Sequence, residues 1–171
     1  MSFAKLKAEI LAARDNREAM LNAVLGTTPA SLVFVSTALP GPRKDLTGSD
    51  DLFRWALTEL ERRLGSLQAL AQGRDVLGPY AIVAVGLSAA ITKQACVALE
   101  DSQPPARLLD LDIYGADGTR LGRLDIGQPA RRCLLCNQPA ADCIRLKRHA
   151  TEELIHHAKN LLAIVSGAAA G

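Results

Sequence analysis

Aromatic side chains are scarce in this chain of 171 residues. Phe, Trp and Tyr make up 4% of the sequence, whereas hydrophobic residues as a whole make up 49%. The core must therefore be built from aliphatic side chains, and one domain over residues 1–171 is the expectation from length. Proteins that bind single-stranded nucleic acid stack the bases on aromatic rings, so the composition argues against a nucleic-acid partner of that kind.

Long uninterrupted apolar runs are also missing. No stretch reaches the roughly 18 consecutive apolar residues of a membrane span, and the first twenty residues lack the apolar centre of a secretory signal. We therefore expect no membrane partner and a cytoplasmic location. In a reducing cytosol the four cysteines are expected to be thiols or metal ligands rather than disulfides.

Excess charge is small but unevenly distributed. The net charge is +2, yet residues 120–148 contain seven Lys or Arg and two Asp, a local charge of +5 that leaves −3 for the rest of the chain. A basic segment on a nearly neutral protein favours a local anionic ligand over a long polyanion, and a solvated basic face is the simpler alternative.

Hydrophobic periodicity predicts a sequence of helices and strands. Helices are predicted at residues 3–25, 49–64, 88–101 and from about 151 onward. Strands are predicted at residues 31–39, 80–87, 107–114 and 119–126. This order indicates a mixed α/β (α+β) fold, a single domain in which a mixed β-sheet is covered by helices. Only the segment from Gln128 onward, residues 128–171, is a candidate for a separate subdomain.

Two aspartates share one face of the predicted strand "RLLDLDIY". Alternate side chains of a strand point to opposite faces, so Asp110 and Asp112 lie on the same side, about 6.5 Å apart along the strand. That spacing suits shared binding of a hard divalent cation such as Mg²⁺, with phosphate oxygens completing the coordination shell. A solvated polar face of an edge hairpin is the common alternative.

The turn "GADG" predicts that the next strand, "TRLGRLDI", pairs with the first as a hairpin. If the turn is four residues long, Asp110 lies opposite Arg123; if it is two residues long, Asp110 lies opposite Asp125 and Asp112 opposite Arg123. Both registers place Arg123 and Asp125 on the face of the aspartate pair. Three carboxylates with an arginine form a set that metal-assisted phosphoryl or nucleotidyl transfer would use, with Asp125 as a third metal ligand or a general base.

The loop "LPGPRK" follows the first predicted strand. A Pro-Gly-Pro turn is stiff, so this loop can present Arg43 and Lys44 to a phosphate or a carboxylate. An ordinary connecting loop is the alternative.

Three cysteines and a histidine follow one another as C-x2-C-x6-C-x5-H, at Cys133, Cys136, Cys143 and His149. The first spacing is that of a zinc knuckle, but the intervening "NQPAAD" and "IRLKR" contain no glycine turn that would bring the ligands together. We therefore expect reduced, partly buried thiols rather than zinc, with a regulatory thiol pair as a further alternative.

Several of these motifs together resemble the apo-citrate lyase phosphoribosyl-dephospho-CoA transferases. The resemblance runs through "AARDNREAML", "STALPGPRKD", "TEEL" and, most specifically, "RLLDLDIYGADGTRLGRLDIGQPARRCLLCNQPAADCIRLKRH". In that last block the D-x-D strand, the arginine pair and the cysteines occur together and in order.

The resemblance implies a nucleotidyltransferase. Members of this family move phosphoribosyl-dephospho-CoA from its triphosphate precursor, triphosphoribosyl-dephospho-CoA, to a serine of the citrate lyase acyl carrier protein (the gamma subunit) and release pyrophosphate. On this interpretation Asp110 and Asp112 hold Mg²⁺ on the triphosphate. Cationic side chains neutralise the phosphates and the leaving group, and the candidates are Arg43, Lys44, Arg123, Arg131 and Arg132.

Two other functions remain open from the sequence alone. One is a small zinc-stabilised module that binds nucleic acid through the basic segment around Cys133; the carboxylates of the D-x-D strand oppose it, because they would repel a polyanion. The other is a scaffold that keeps the fold without catalysis.

Overall fold

The computed structural model describes residues 3–27 and 30–168. These residues contain five helices: α1 Phe3–Val24, α2 Ser49–Leu64, α3 Ala89–Glu100, α4 Ala140–Arg145 and α5 Thr151–Ala168. Five strands accompany them: β1 Ser31–Thr37, β2 Leu67–Asp75, β3 Gly78–Val85, β4 Leu109–Gly115 and β5 Arg120–Leu121. Short 3-10 helices lie at Pro104–Leu108 and Leu124–Ile126.

The strands form one sheet in the order β2-β3-β1-β4-β5, and every pairing is antiparallel. One face packs against α2, α3 and α5, where aliphatic side chains of β1, β3 and β4 form the main core. The other face carries a smaller apolar cluster in which Leu21 of α1 packs near Leu32 and Ile82. Helix α1 lies over this face and contacts β2, and in β4 it is Tyr114 that packs against this cluster.

The predicted α+β class is confirmed, and so are the predicted positions of four long helices. The predicted mixed sheet is wrong in its pairing, because all four pairings are antiparallel. Strand β2 was not predicted. It is a half-exposed edge strand whose register shifts between Ala69 and Ala71, and its two-residue turn, Val76 and Leu77, contains neither glycine nor asparagine.

The β4–β5 hairpin follows neither of the two predicted registers. Ile113 pairs with Leu121 and Tyr114 with Arg120, because the loop has three residues and Gly118 adopts a left-handed conformation with φ 79°. The predicted partner strand at 119–126 is likewise too long, since pairing ends at Leu121 and a 3-10 helix follows. In this register Arg120, rather than Arg123, lies beside the aspartates.

Helix α5 belongs to the main core, to which it contributes Ala158, Leu161 and Leu162. Its packing partners include α2 and the 3-10 helix before β4. Over the parts of the chain that the structure describes, no helix has the length and apolar character needed to cross a membrane.

Candidate functional site

The edge of β4 is only partly covered by its neighbour. Strand β5 pairs with Ile113 and Tyr114 alone, so the backbone polar groups of Leu109 and Leu111 need other partners. Charged side chains supply them. The Leu111 N–H donates to Glu100 (3.2 Å), Lys93 donates to the Leu111 carbonyl oxygen (3.2 Å), and Arg131 donates to the Leu109 carbonyl oxygen. Where β5 does not pair with β4, charged side chains therefore form the hydrogen bonds that a neighbouring strand would otherwise make.

Asp110 and Asp112 project from this edge onto the same face of the sheet, as predicted from the strand alternation. They lie opposite Ser36 and Phe34 of β1, on the face that α1 covers only in part. Asp112 accepts a hydrogen bond from Arg120 at 2.5 Å. Asp110 is half exposed, and its Oδ1 lies 3.7 Å from Nη1 of Arg131.

The two carboxylates interact unfavourably. Burial raises the pKa of Asp110 above its ordinary value, and the negative charge of Asp112 raises it further, against the opposing effect of Arg131. The charged form of Asp110 is therefore disfavoured in the folded protein. A cation between the two side chains would remove this repulsion, which is the observation that fits the pair to a divalent metal ion.

Arg123 forms a buried ion pair with Glu100 and does not lie on the strand that pairs with β4, as the hairpin prediction had it. Its Nη2 donates to Oε2 of Glu100 at 2.6 Å, and its Nη1 contacts Oδ2 of Asp101 at 3.0 Å. The side chains of Arg123 and Glu100 are 11% and 5% exposed. This ion pair joins the segment after β5 to the end of α3.

Asp125 does not lie on a strand, as the hairpin prediction had it, but in the 3-10 helix that follows β5. Its carboxylate accepts a hydrogen bond from the Gly122 N–H at 2.6 Å, which closes the turn that follows β5. The side chain is exposed and lines the same cavity as Asp110 and Asp112.

A cavity of about 420 Å³ covers this edge of the sheet. Its lining contains four basic and four acidic side chains: Lys93, Arg120, Arg123 and Arg131 against Glu100, Asp110, Asp112 and Asp125. A lining of balanced charge that includes a carboxylate pair suits an anionic ligand bound together with a metal cation.

A second cavity, of about 380 Å³, adjoins the first and shares Glu100, Arg123 and Arg131 with it. Its other charged lining residues are Asp101, Arg107 and Arg132, so basic side chains outnumber acidic ones here. Arg131 is held between the two cavities, because it donates to the carbonyl oxygens of Arg107 (2.7 Å) and Leu109. The arrangement is suited to phosphate groups.

The loop that carries Arg43 and Lys44 is not part of either cavity lining. Arg43 is exposed and pairs with Asp45 at 2.7 Å. Lys44 donates to the carbonyl oxygen of Leu39, and burial lowers the pKa of Lys44 with a smaller contribution from Arg14. Phosphate binding by Arg43 and Lys44 stays a prediction.

The three cysteines and the histidine come together, contrary to the expectation from their sequence. The ligand atoms of Cys133, Cys136, Cys143 and His149 all lie within 4.8 Å of one another, so this cluster can bind a metal ion. Sγ of Cys136 is 3.5 Å from Sγ of Cys143 and 3.3 Å from Nε2 of His149.

The sequence predicts no zinc site because it has no glycine turn between the ligands, but Lys147 forms such a turn without glycine. This residue adopts the left-handed conformation itself, with φ 47°, at the end of α4. The N–H of Arg148 donates to the carbonyl oxygen of Cys143 and that of Lys147 to the carbonyl oxygen of Ile144, the pattern that usually places glycine there. The chain then reverses and brings His149 back to Cys136.

Sequence reasoning missed three residues of the candidate site: Lys93, Glu100 and Arg120. Lys93 and Glu100 are 6% and 4% exposed, and both lie on the buried side of α3, whose other buried residues are uncharged. Two charged residues seven positions apart on the same side of an apolar helix are a signal that could have been recognised. Arg120 was missed because the hairpin register was wrong.

Comparison with known proteins identifies the family. The model of the apo-citrate lyase phosphoribosyl-dephospho-CoA transferase family matches residues 6–164. A relative of that name from Escherichia coli O1:K1 is 35% identical over 158 residues, which cover 90% of this chain and 86% of the relative. Relatives of the same name from Shigella flexneri serotype 5b and Escherichia coli O9:H4 are 35% and 34% identical over the same shares.

These matches confirm the resemblance and the transferase class predicted from the sequence, and they favour them over a nucleic-acid-binding module. The matched region contains the D-x-D strand, both cavities and the cysteine cluster. The chain belongs to the apo-citrate lyase phosphoribosyl-dephospho-CoA transferase family.

Proposed function

We propose that the cavity at the β4 edge is the active site, in which phosphoribosyl-dephospho-CoA passes from triphosphoribosyl-dephospho-CoA to a serine of the citrate lyase acyl carrier protein, its gamma subunit. The observation that carries the proposal is the position of Asp110 and Asp112 on one face of an uncovered strand edge, with Arg131 beside them. Membership of the transferase family supports it. The proposed reaction involves neither a nucleic acid nor a membrane.

Asp110 and Asp112 are the residues that would hold Mg²⁺. Their carboxylate oxygens are hard ligands on one face of a strand, and their mutual repulsion favours a cation. When bound, the magnesium ion would neutralise charge on the triphosphate and on the departing pyrophosphate. Arg120 pairs with Asp112, so its guanidinium lies where it could also contact a phosphate bound beside the aspartates.

The arginines of the neighbouring cavity would hold the phosphates. Arg131 is fixed by two carbonyl oxygens beside Asp110, and Arg132 is exposed at the second cavity. A guanidinium held in this way can stabilise negative charge on the transferring group without first reorganising. The guanidinium of Arg123 forms ion pairs with Glu100 and Asp101. Arg123 would therefore position the segment after β5 rather than bind a phosphate directly.

The transfer itself needs a proton acceptor. The serine hydroxyl would lose its proton to Asp125, its oxygen would form a bond to the phosphorus nearest the ribose, and the bond from that phosphorus to pyrophosphate would break. Asp125 is the candidate because it is exposed and lines the cavity with the aspartate pair. We expect Asp125→Asn to slow this transfer, measured through the intact mass of the carrier, and an unchanged rate would exclude Asp125 as the base.

The affinity for a divalent cation should depend on pH. Burial and Asp112 raise the pKa of Asp110, so Asp110 takes up a proton at a higher pH than an ordinary aspartate, whose pKa is 3.8. As the pH falls toward this raised pKa, the site loses a ligand charge and binds the cation more weakly. We expect Mn²⁺ binding, measured by electron paramagnetic resonance in place of Mg²⁺, to weaken on acidification from pH 7 at a pH above 3.8. Constant affinity down to that pH would contradict the assignment.

The loop at Lys44 offers a separate test of precursor binding. We expect Lys44→Ala to raise the KM for triphosphoribosyl-dephospho-CoA by roughly tenfold, the effect of losing one charge-assisted hydrogen bond, with little change in kcat. The measurement is steady-state transfer at varied precursor concentration, with the midpoint of thermal unfolding recorded for each protein. An unchanged KM would show that Lys44 only ties its loop to Leu39.

The transfer assay tests the proposed function as a whole. Purified chain, Mg²⁺, triphosphoribosyl-dephospho-CoA and the apo form of the citrate lyase acyl carrier protein are incubated, and the intact mass of the carrier is measured. We expect the mass of one phosphoribosyl-dephospho-CoA group to be added to a single serine, with release of pyrophosphate. Absence of the added mass with wild-type protein would refute the proposal.

A further inference from the structure

We propose that Cys133, Cys136, Cys143 and His149 bind one structural zinc ion that holds residues 128–150 against the β4 edge. The four ligand atoms come from a hairpin, from α4 and from the turn after α4, yet all lie within 4.8 Å of one another. Cys133 and Cys143 are buried, and the other two residues are half-buried. No other group of three or more His, Cys, Asp or Glu residues over 3–27 and 30–168 is close enough to hold a metal ion in this way.

The distances suit a tetrahedral ion. Zinc binds thiolate at about 2.3 Å, so two thiolates of a tetrahedral site lie roughly 3.8 Å apart. The observed separations, 3.5 Å between two of the sulfurs and 3.3 Å between sulfur and imidazole nitrogen, need only small adjustments. Zinc binding would release the thiol protons and leave three thiolates and a neutral imidazole around Zn²⁺.

The ligand set also indicates what kind of site this is. Thiolate and imidazole are soft or intermediate ligands that favour zinc over magnesium or calcium. Four protein ligands fill the tetrahedral shell and leave no position for water or substrate, which is typical of structural rather than catalytic zinc.

Backbone hydrogen bonds build a frame around the cluster. The Cys133 N–H donates to the Gln138 carbonyl oxygen at 2.8 Å, and the Ala140 N–H to the Arg131 carbonyl oxygen at 2.8 Å. Between them Arg132 and Pro139 form an isolated bridge, so that Cys136 lies in the loop of a small hairpin. The left-handed Lys147 then returns the chain to the cluster. Such a conformation is unfavourable for lysine and persists where surrounding contacts hold it.

The segment has little apolar packing of its own that could replace a metal. Helix α4 has six residues, and the large apolar side chains Ile144 and Leu146 are 77% and 53% exposed. Leu134 packs at the margin of the main core. A segment of this kind is stabilised by a cross-link, and a zinc ion bound by residues 133–149 supplies one.

The zinc ion would also fix the phosphate-binding arginines. Arg131 and Arg132 immediately precede Cys133, and Arg107 donates to the carbonyl oxygens of Arg132 (3.2 Å) and Cys133 (2.5 Å). Arg131 in turn reaches Asp110 and the β4 backbone. This positioning effect rests on the proposed function, whereas the zinc site itself does not.

Metal analysis of the full chain, purified under reducing conditions without added zinc, tests the site. We expect one zinc ion per chain in the wild type and a decrease of at least about tenfold in Cys136→Ser and in His149→Ala. Cys96→Ala and His156→Ala are the matched controls and should keep their zinc, because Cys96 is buried in the main core and His156 is exposed on α5. Replacement by Co²⁺ should give the thiolate-to-metal absorption of a tetrahedral site.

A second measurement remains informative if the ligand variants fail to fold. Zinc is removed from the wild-type protein with a thiol-blocking mercurial and a chelator, the thiols are regenerated, and trypsin is added with or without zinc. Arg145, Lys147 and Arg148 should be cut much faster in the zinc-free protein, and added zinc should restore protection. Equal cleavage, or a wild-type protein that neither contains nor binds zinc, would overturn the proposal, as would a native disulfide between Cys136 and Cys143.

These results are independent of the transfer assay. A protein that binds zinc but does not modify the carrier keeps the zinc proposal and refutes the proposed function. A protein that contains and binds no zinc but modifies the carrier in the presence of Mg²⁺ does the reverse.

Discussion

Replacing Asp110 with Asn is expected to reduce the rate of transfer to the carrier protein by about 10²- to 10³-fold, because the several kcal/mol of charge stabilisation supplied through a bound metal ion would be lost. Asp112→Asn should have an effect of similar size. Both carboxylates project from β4 into the same cavity, and β4 contains no third aspartate that could replace either of them.

The same substitution should not destabilise the fold. Burial and Asp112 raise the pKa of Asp110, so the charged carboxylate opposes folding, and this cost appears as the pH rises through the raised pKa. Asn at 110 has no charge and keeps nearly the same shape. We therefore expect Asp110→Asn to unfold at a temperature no lower than the wild type near pH 7, in the absence of a divalent cation.

The measurement compares single-turnover transfer rates at saturating precursor, together with Mn²⁺ binding, in wild type and variants. Asp117→Asn is a matched control, since Asp117 lies in the same hairpin, is exposed and accepts hydrogen bonds from Thr119 in the turn. Asn can make a similar turn, so transfer should be close to wild type. Transfer at the wild-type rate in both Asp110→Asn and Asp112→Asn would show that the cavity does not hold the metal.

The second large effect is expected on stability. Arg123→Met should lower the free energy of unfolding by about 3–5 kcal/mol, because it leaves the buried Glu100 carboxylate without its principal cation. The double variant Glu100→Gln, Arg123→Met should recover part of this loss, since it removes both charges together.

Urea unfolding at 25 °C measures these differences. Arg62→Met is the control, because Arg62 forms an exposed ion pair with Glu59 and should change the free energy of unfolding by less than about 1 kcal/mol. A similarly small change for Arg123→Met, combined with loss of precursor binding, would instead support the direct phosphate contact predicted from the sequence.

The strand that carries the two carboxylates could be predicted because one of its faces is buried and the other is polar. Its alternation of apolar and acidic residues placed Leu109, Leu111 and Ile113 in the core and left Asp110 and Asp112 on the opposite face, and the structure has the same arrangement. Period-two alternation is strong evidence wherever one face of a strand is buried.

The surroundings of that strand were not predictable in the same way. The length of β5 depends on a three-residue loop that differs by one residue from either expected turn, and one residue of register decides whether Arg120 or Arg123 faces the aspartates. Lys93 and Glu100 reach from α3 to the backbone of Leu111, a residue that β5 does not pair with. These are consequences of tertiary packing.

The cysteine cluster shows a different limit of sequence reasoning. Glycine is favoured in the left-handed conformation, so the absence of glycine between Cys136 and His149 counted against a compact site. Lys147 adopts that conformation despite its side chain. A preference of this kind is statistical, and the surrounding contacts override it at a single residue.

The intact mass of the citrate lyase acyl carrier protein tests the central claim most directly. The carrier is incubated with Mg²⁺, triphosphoribosyl-dephospho-CoA and either the wild-type chain or Asp110→Asn, under conditions in which the variant is folded. We predict that the wild type adds one phosphoribosyl-dephospho-CoA group to each carrier molecule and that the initial rate of addition by the variant is at least about 10²-fold lower. Equal addition by the two proteins would contradict the assignment of the β4 edge as the active site.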